Sequence, residues 1–183
     1  MEKLTFIKSE HKYKINGKYL PSVTQVIGDV LKGEREVEQT EAMYKGQVIH
    51  KTLELLDNDE LGEYDQRLQG YIDSWIKFKQ ETKAVIISNE FKTYSEFGFA
   101  GTIDRVLTIG NDRYVIDIKT GKSYKEYPLQ TMAYKIMLND ESIKRACVYI
   151  NETGYEIEEH TNEQDKDIFL SLLMVWRWKK NRL

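Results

Sequence analysis

The chain has 183 residues, 40% of them hydrophobic and 31% charged, with a formal net charge of -3. That is long enough for a single domain with a real core, and the composition is that of an ordinary globular protein. The weak negative charge excludes coating of nucleic acid by bulk electrostatics, though not a local basic groove. No apolar run approaches the ~20 residues of a membrane span, and the single cysteine, Cys147, excludes an intrachain disulfide or a four-cysteine metal site.

The opening MEKLTFIKSE lacks the basic-then-apolar order of a signal peptide, so a reducing cytoplasm is the expected compartment. FIKSEHKYKINGKYL alternates around Asn16-Gly17, a strong two-residue hairpin turn. In PSVTQVIGDVL, Ser22 and Gln25 fit a capping box and start a short helix. VEQTEAMYKGQVIHKTLELL carries Ala42, Ile49, Leu53 and Leu56 at helical spacing. EYDQRLQGYIDSWIKFKQET reads as a second helix, with Leu68, Ile72, Trp75 and Phe78 on one side.

Three strand-like runs follow: AVIISNEFKTY, GFAGTIDRVLTI and DRYVIDIK. PLQTMAYKIMLN is helical, with Pro128 suited to its first turn. RACVYINETGYEIEEH reads as another hairpin, and NEQDKDIFLSLLMVWRWKK as a closing amphipathic helix. Trp176 and Trp178 cannot both face one core, so the basic end is read as structural, with DNA or a subunit as candidate contact. The order helix, three strands, helix, strand indicates a mixed α/β or α+β layered domain spanning 1–183. No repeat, linker or low-complexity tract interrupts it.

The stretch YVIDIKTG ends a core strand with Asp117 and Lys119, which alternation places on one face. If Gly110-Asn111 is a two-residue loop, Ile109 pairs with Asp112, and the same register sets Asp104 opposite Asp117. Like charges directly opposite each other are destabilising, so something must offset them. A shared proton, Lys119 and a divalent cation are three answers. Carboxylates and water suit a hard ion such as Mg²⁺ or Mn²⁺, which can acidify water and stabilise charge on a phosphate. Lys119 could orient an attacking water, or deprotonate it if its pKa falls. Asp-x-Lys by itself is more often a solvated pair at a strand end; the facing Asp104 gives it weight.

GQVIHKTLE (46–54), GTIDRV (101–106), VIDIKTG (115–121) and LQTMAYKI (129–136), in this order, resemble the PD-(D/E)XK nucleases, and within them the RecB-like and phage-type exonuclease branch. The likeness covers roughly residues 40–151. It implies a restriction-endonuclease-like core, a central mixed β-sheet flanked by helices in the order α-β-β-β-α-β, here with an N-terminal hairpin and a C-terminal helix added. It implies Asp104 and Asp117 as metal ligands, the Ile118 carbonyl as a further one, and Lys119 as the catalytic lysine. His50 matches the branch's upstream histidine, a metal ligand. Gln130 and Tyr134 match its Gln-x-x-x-Tyr motif, which contacts substrate. Glu90 is a candidate additional acid, opposite Asp104 if the preceding turn centres on Phe97. Ile103 stands where the family name has proline, as is usual in the branch.

Read on their own, His50 and Tyr134 are more often structural, but Gln130 and Tyr134 do share a helix face. Gly46, one turn before His50, signals a close approach. Cys147 alone excludes the iron–sulfur subgroup of the branch, and no phosphate-binding loop indicates a nucleotide cofactor. Basic and aromatic residues gather near the site in sequence: Arg105, Lys119, Lys122 and Lys125, with Tyr124 and Tyr127. The resemblance implies a Mg²⁺- or Mn²⁺-dependent DNA exonuclease of recombination or repair. Candidate partners are DNA, a single-strand annealing protein, a separate helicase and further copies of the chain. The alternative is a catalytically silent nucleic-acid-binding or docking domain on the same fold.

Overall fold

The computed structural model describes residues 4–7, 12–32 and 40–180. The expected helix start at Val37 and the tail Asn181–Leu183 lie outside these. Strands β1 (Leu4–Ile7), β2 (Lys12–Ile15) and β3 (Lys18–Leu20) form an antiparallel three-stranded sheet. Asn16 and Gly17 both have positive φ, 49° and 80°, as a tight hairpin turn with matched twist requires. Helix α1 (Val23–Leu31) is capped by Ser22, whose hydroxyl accepts from Gln25 N. Helices α2 (Glu41–Asp57) and α3 (Gln69–Thr82) follow, the latter entered through a short 3₁₀ turn.

The central sheet comprises β4 (Val85–Ser95), β5 (Phe99–Ile109), β6 (Asp112–Lys119), β7 (Lys144–Ile150) and β8 (Tyr155–Glu159), in that spatial order. All neighbours are antiparallel except β6 and β7, which are parallel. A parallel pair needs a long crossover, and helix α4 (Tyr127–Leu138) provides it. Helix α5 (Asp165–Lys180) closes the described chain. The sheet is therefore mixed and helix-covered, as the sequence predicts.

Two apolar cores lie on the two faces. One gathers Val23 and Val26 of α1, Val106 and Val115 of the sheet, Ala133 of α4 and Phe169 and Leu173 of α5. The other gathers Ile49 and Leu53 of α2, Ile72, Trp75 and Phe78 of α3, and Leu107, Ile116, Ile118 and Val148 of the sheet. Strands covered on both faces read as nearly continuous apolar runs, which is why β5 and β6 do not alternate cleanly in sequence. Ala42 departs from expectation: the first turns of α2 are exposed, and its buried stripe starts only at Ile49. Of the two terminal tryptophans, Trp176 packs inward and donates to Asp29 Oδ2 at 2.8 Å, while Trp178 is exposed.

Two glycines set the approach of helices to the sheet. A Cβ at Gly46 would lie 3.4 Å from Thr120 Oγ1, so α2 passes close to the end of β6. A Cβ at Gly101 would lie 3.0 Å from Met137 Cε, 3.3 Å from Val23 Cγ2 and 3.5 Å from Tyr134 Cε1. Gly101→Ala is therefore expected to push α4 away from β5 and to cost about 1–3 kcal/mol. Urea denaturation measures this; a wild-type midpoint would contradict the packing described.

Candidate active site

The two turns of the β4–β5–β6 meander place the carboxylates. The β5–β6 ladder pairs Ile109 with Asp112 and continues to Arg105 with Ile116, one step short of Asp104 and Asp117. There a side chain takes over from the ladder: Asp104 Oδ2 accepts from Ile118 N at 2.8 Å. On the other side, Asn89 pairs with Arg105 and Phe91 with Ile103, so Glu90 falls opposite Asp104. Ser95 pairs with Phe99 across a turn centred on Phe97. Glu90 has φ 45°, a left-handed conformation that a non-glycine residue adopts only under local constraint.

Helix α2 brings His50 to this point, with Nδ1 3.4 Å from Asp104 Oδ2. His50, Glu90 and Asp104 offer one nitrogen and two carboxylate oxygens, all within 4.8 Å of one another. An imidazole with two carboxylates is a donor set that accepts Mg²⁺ or Mn²⁺, Mn²⁺ tolerating the nitrogen more readily. Burial, then the neighbouring Asp104 charge, raises the Glu90 pKa to about 7.

Asp117 lies beside this cluster and is 2% exposed. Its Oδ2 pairs with Lys119 Nζ, and its Oδ1 accepts from Gln130 Nε2 at 2.9 Å. Burial raises its pKa, against the pull of Lys119. Gln130 spends both ends of its amide here, since Nε2 also reaches Tyr134 Oη at 2.7 Å and Oε1 accepts from Lys119 Nζ at 3.1 Å. Gln130 and Tyr134 are 9% and 4% exposed. Burial also holds the Tyr134 phenol well above its usual range, so it stays protonated.

Lys119 is the most revealing member. Burial alone would depress its pKa, but Asp117 and Asp104 outweigh burial and leave it raised. These two carboxylates favour the ammonium form. Lys119 Nζ also sits 4.1 Å from the centre of the Tyr127 ring. Ile118 lies wholly in the core and supplies its N–H to Asp104.

Sequence reasoning leaves out several contacts. Arg105, counted there among basic residues around the site, is fully buried. It pairs with Asp57, at the last turn of α2. The one hint was an acid at a helix C-terminus, where the macrodipole disfavours it. Cys147 lies 4.0 Å from Asp117 Oδ2 and stays a thiol, because burial raises its pKa. Lys122, Tyr124 and Lys125 remain on the surface.

A family model described as the PD-(D/E)XK nuclease superfamily matches residues 61–173. That span contains Glu90, Asp104, Asp117, Lys119, Gln130 and Tyr134; His50 precedes it. No curated protein matches the chain. Among solved structures, one described as SSO0001 is similar at 19% identity and TM-score 0.41, covering 74% of this chain. The chain spans only 59% of that protein. An alkaline exonuclease (LHK-Exo) from Laribacter hongkongensis is similar at 15% identity and TM-score 0.41, covering 88% of this chain and 91% of its own.

The raised carboxylate pKa values fix the sign of a pH effect. Glu90 sits at about 7 folded against 4.5 in the free side chain, so the folded state binds the extra proton between those values. Metal-free protein should therefore lose stability as pH rises from about 5 to 7, by up to about 3 kcal/mol from this group. In EDTA, thermal melting should be higher at pH 5.5 than at pH 8, and Glu90→Gln should flatten the slope. A melting temperature that rises with pH in EDTA would contradict this electrostatic picture.

Proposed function

The chain belongs to the PD-(D/E)XK nuclease superfamily, and on that premise we propose that it is a divalent-metal-dependent deoxyribonuclease working as an exonuclease at DNA ends. The observation that carries this reading is the His50–Glu90–Asp104 cluster lying directly beside the Asp117–Lys119 pair. His50, Glu90 and Asp104 would hold the ion, with Asp117 next to it. A bound Mg²⁺ or Mn²⁺ acidifies water and offsets charge building on the scissile phosphate.

The chain's own residues do the rest. Lys119, kept as an ammonium, orients the attacking water and offsets phosphate charge. Gln130 fixes Asp117 and Lys119 relative to each other, and Tyr134 fixes Gln130. Because these amide and phenol groups are spent on one another, their role in this reading is to position the catalytic pair, with substrate contact limited to what their small exposed surface allows. Exposed Lys122 and Lys125 can meet backbone phosphates, and the half-exposed Tyr124 a base.

The exonuclease mode, and a setting in phage-type recombination or repair, are supported by His50 and Gln130-x-x-x-Tyr134 at the positions of the RecB-like branch. A single-strand annealing protein, a helicase or a ring of identical subunits would suit such an enzyme, because a blocked or encircled strand enforces action from an end.

The test is incubation with linear and circular DNA, each single- and double-stranded, in Mg²⁺, Mn²⁺ or EDTA, with RNA as competitor. Linear DNA is expected to be degraded only with metal, and circles spared. Lys119→Ala and Asp117→Ala should each lower the rate by about 10²-fold or more. Lys119→Ala should still fold, since Asp117 can take a proton when its partner is removed. Cutting by both variants at the wild-type rate would sink the reading. Metal-independent binding without cleavage would replace it with a silent DNA-binding domain.

A further inference from the structure

Behind the proposed metal site lies a second charged cluster that the reaction does not touch. The side chains of Asp57 and Arg105 are both fully buried, with Arg105 Nε donating to Asp57 Oδ2 at 2.7 Å. Trp75 Nε1 reaches both Asp57 oxygens at 3.0 Å, and Lys79 Nζ reaches Oδ1 at 2.6 Å. The guanidinium lies 5.6 Å from the centre of the Trp75 ring. Arg105 Nη1 donates to the Asp104 carbonyl at 2.6 Å and stands 3.9 Å from Glu90 Oε1. Its Nη2 is buried with no hydrogen-bond partner among the described residues.

A buried guanidinium with a spare donor seeks a carboxylate, preferably in a two-pronged pairing. Two are close: Asp57, already paired, and Glu90, at 3.9 Å. Glu90 belongs to the candidate metal cluster, so an Arg105 that settled on it would occupy the charge the cation needs. A buried ion pair is weak evidence for stability in itself, because desolvation offsets the attraction. A partner that fixes where a cation rests is a better account of this one.

We propose that Asp57 is a positioning residue. It holds Arg105 against the main chain of Asp104 and no nearer than 3.9 Å to Glu90 Oε1, short of the two-pronged pairing that would take up the charge a divalent cation needs. This rests on the metal-site reading above. Among the described residues Asp57 makes no hydrogen bond or ion pair with His50, Glu90 or Asp104; it acts through Arg105.

The experiment is calorimetric titration of the metal-free full chain with Mn²⁺, for wild type, Asp57→Asn and Arg105→Lys, beside circular dichroism and melting curves. Asp57→Asn frees the guanidinium; Arg105→Lys keeps the charge but loses the grip on the Asp104 carbonyl. Each is expected to bind Mn²⁺ 10–100-fold more weakly while remaining folded, the range seen when groups behind metal ligands are altered. Nuclease activity lost at low Mn²⁺ should return at saturating Mn²⁺, a split that a merely structural role would not give. Wild-type Mn²⁺ affinity in a folded variant overturns the proposal. Should Asp57→Asn fail to fold, Arg105→Lys decides by the same criterion. Absence of Mn²⁺ binding in wild type overturns the metal-site reading itself and this inference with it, a result distinct from weakened binding in the variants alone.

Discussion

Three carboxylates meet at the heart of the central sheet, and their mutual repulsion in a desolvated setting is the constraint on which the rest of the site depends. Asp104 is flanked by Glu90 on one neighbouring strand and Asp117 on the other. Each needs a separate answer to its charge. Asp104 takes a backbone N–H and faces an imidazole; Asp117 takes an ammonium and an amide; Glu90 is left with a raised pKa and a guanidinium at 3.9 Å, beyond hydrogen-bond reach. The group with the least compensation is therefore the one that completes the three-residue donor set. A divalent cation would stabilise all of these at once, and carboxylates with perturbed pKa values gathered at one point are a common feature of functional sites.

The same field decides what Lys119 can be. In an apolar pocket it would tend to lose its proton, but between Asp117 and Asp104 it keeps it. In the proposed reading its role is then electrostatic and orienting. The Gln130–Tyr134 pair on α4 supports this by locking donor and acceptor roles around Asp117 and Lys119. Close packing of α4 on β5 at Gly101 is what brings that pair within reach. Packing, hydrogen bonding and charge state are thus linked in one chain of cause from a glycine to the reactive centre.

Much of this geometry was legible in the sequence because turns fix register. Gly110-Asn111 forms the two-residue loop, so the levelling of Asp104 with Asp117 follows from counting, whereas Glu90 comes level only because the SEFGF turn centres on Phe97, which its residues do not decide. Helical spacing likewise put Gln130 and Tyr134 on one face. What could not be read was non-local. Arg105 looked like part of a basic surface, and only the packing of α2 and α3 on the sheet shows that it is sealed inside with Asp57 and Trp75. The first turns of α2, including Ala42, continue an apolar pattern past the point where anything covers it. The charge state of Lys119 depends on two strands at once, and no local pattern encodes that.

The central claim is that His50, Glu90 and Asp104 hold a divalent ion beside Asp117 and Lys119. The most direct measurement is anomalous diffraction from crystals of the protein grown or soaked in Mn²⁺. The account predicts a manganese peak within bonding distance of His50 and of the carboxylates of Glu90 and Asp104. A peak elsewhere, or none while Mn²⁺ is present at millimolar concentration, would contradict it.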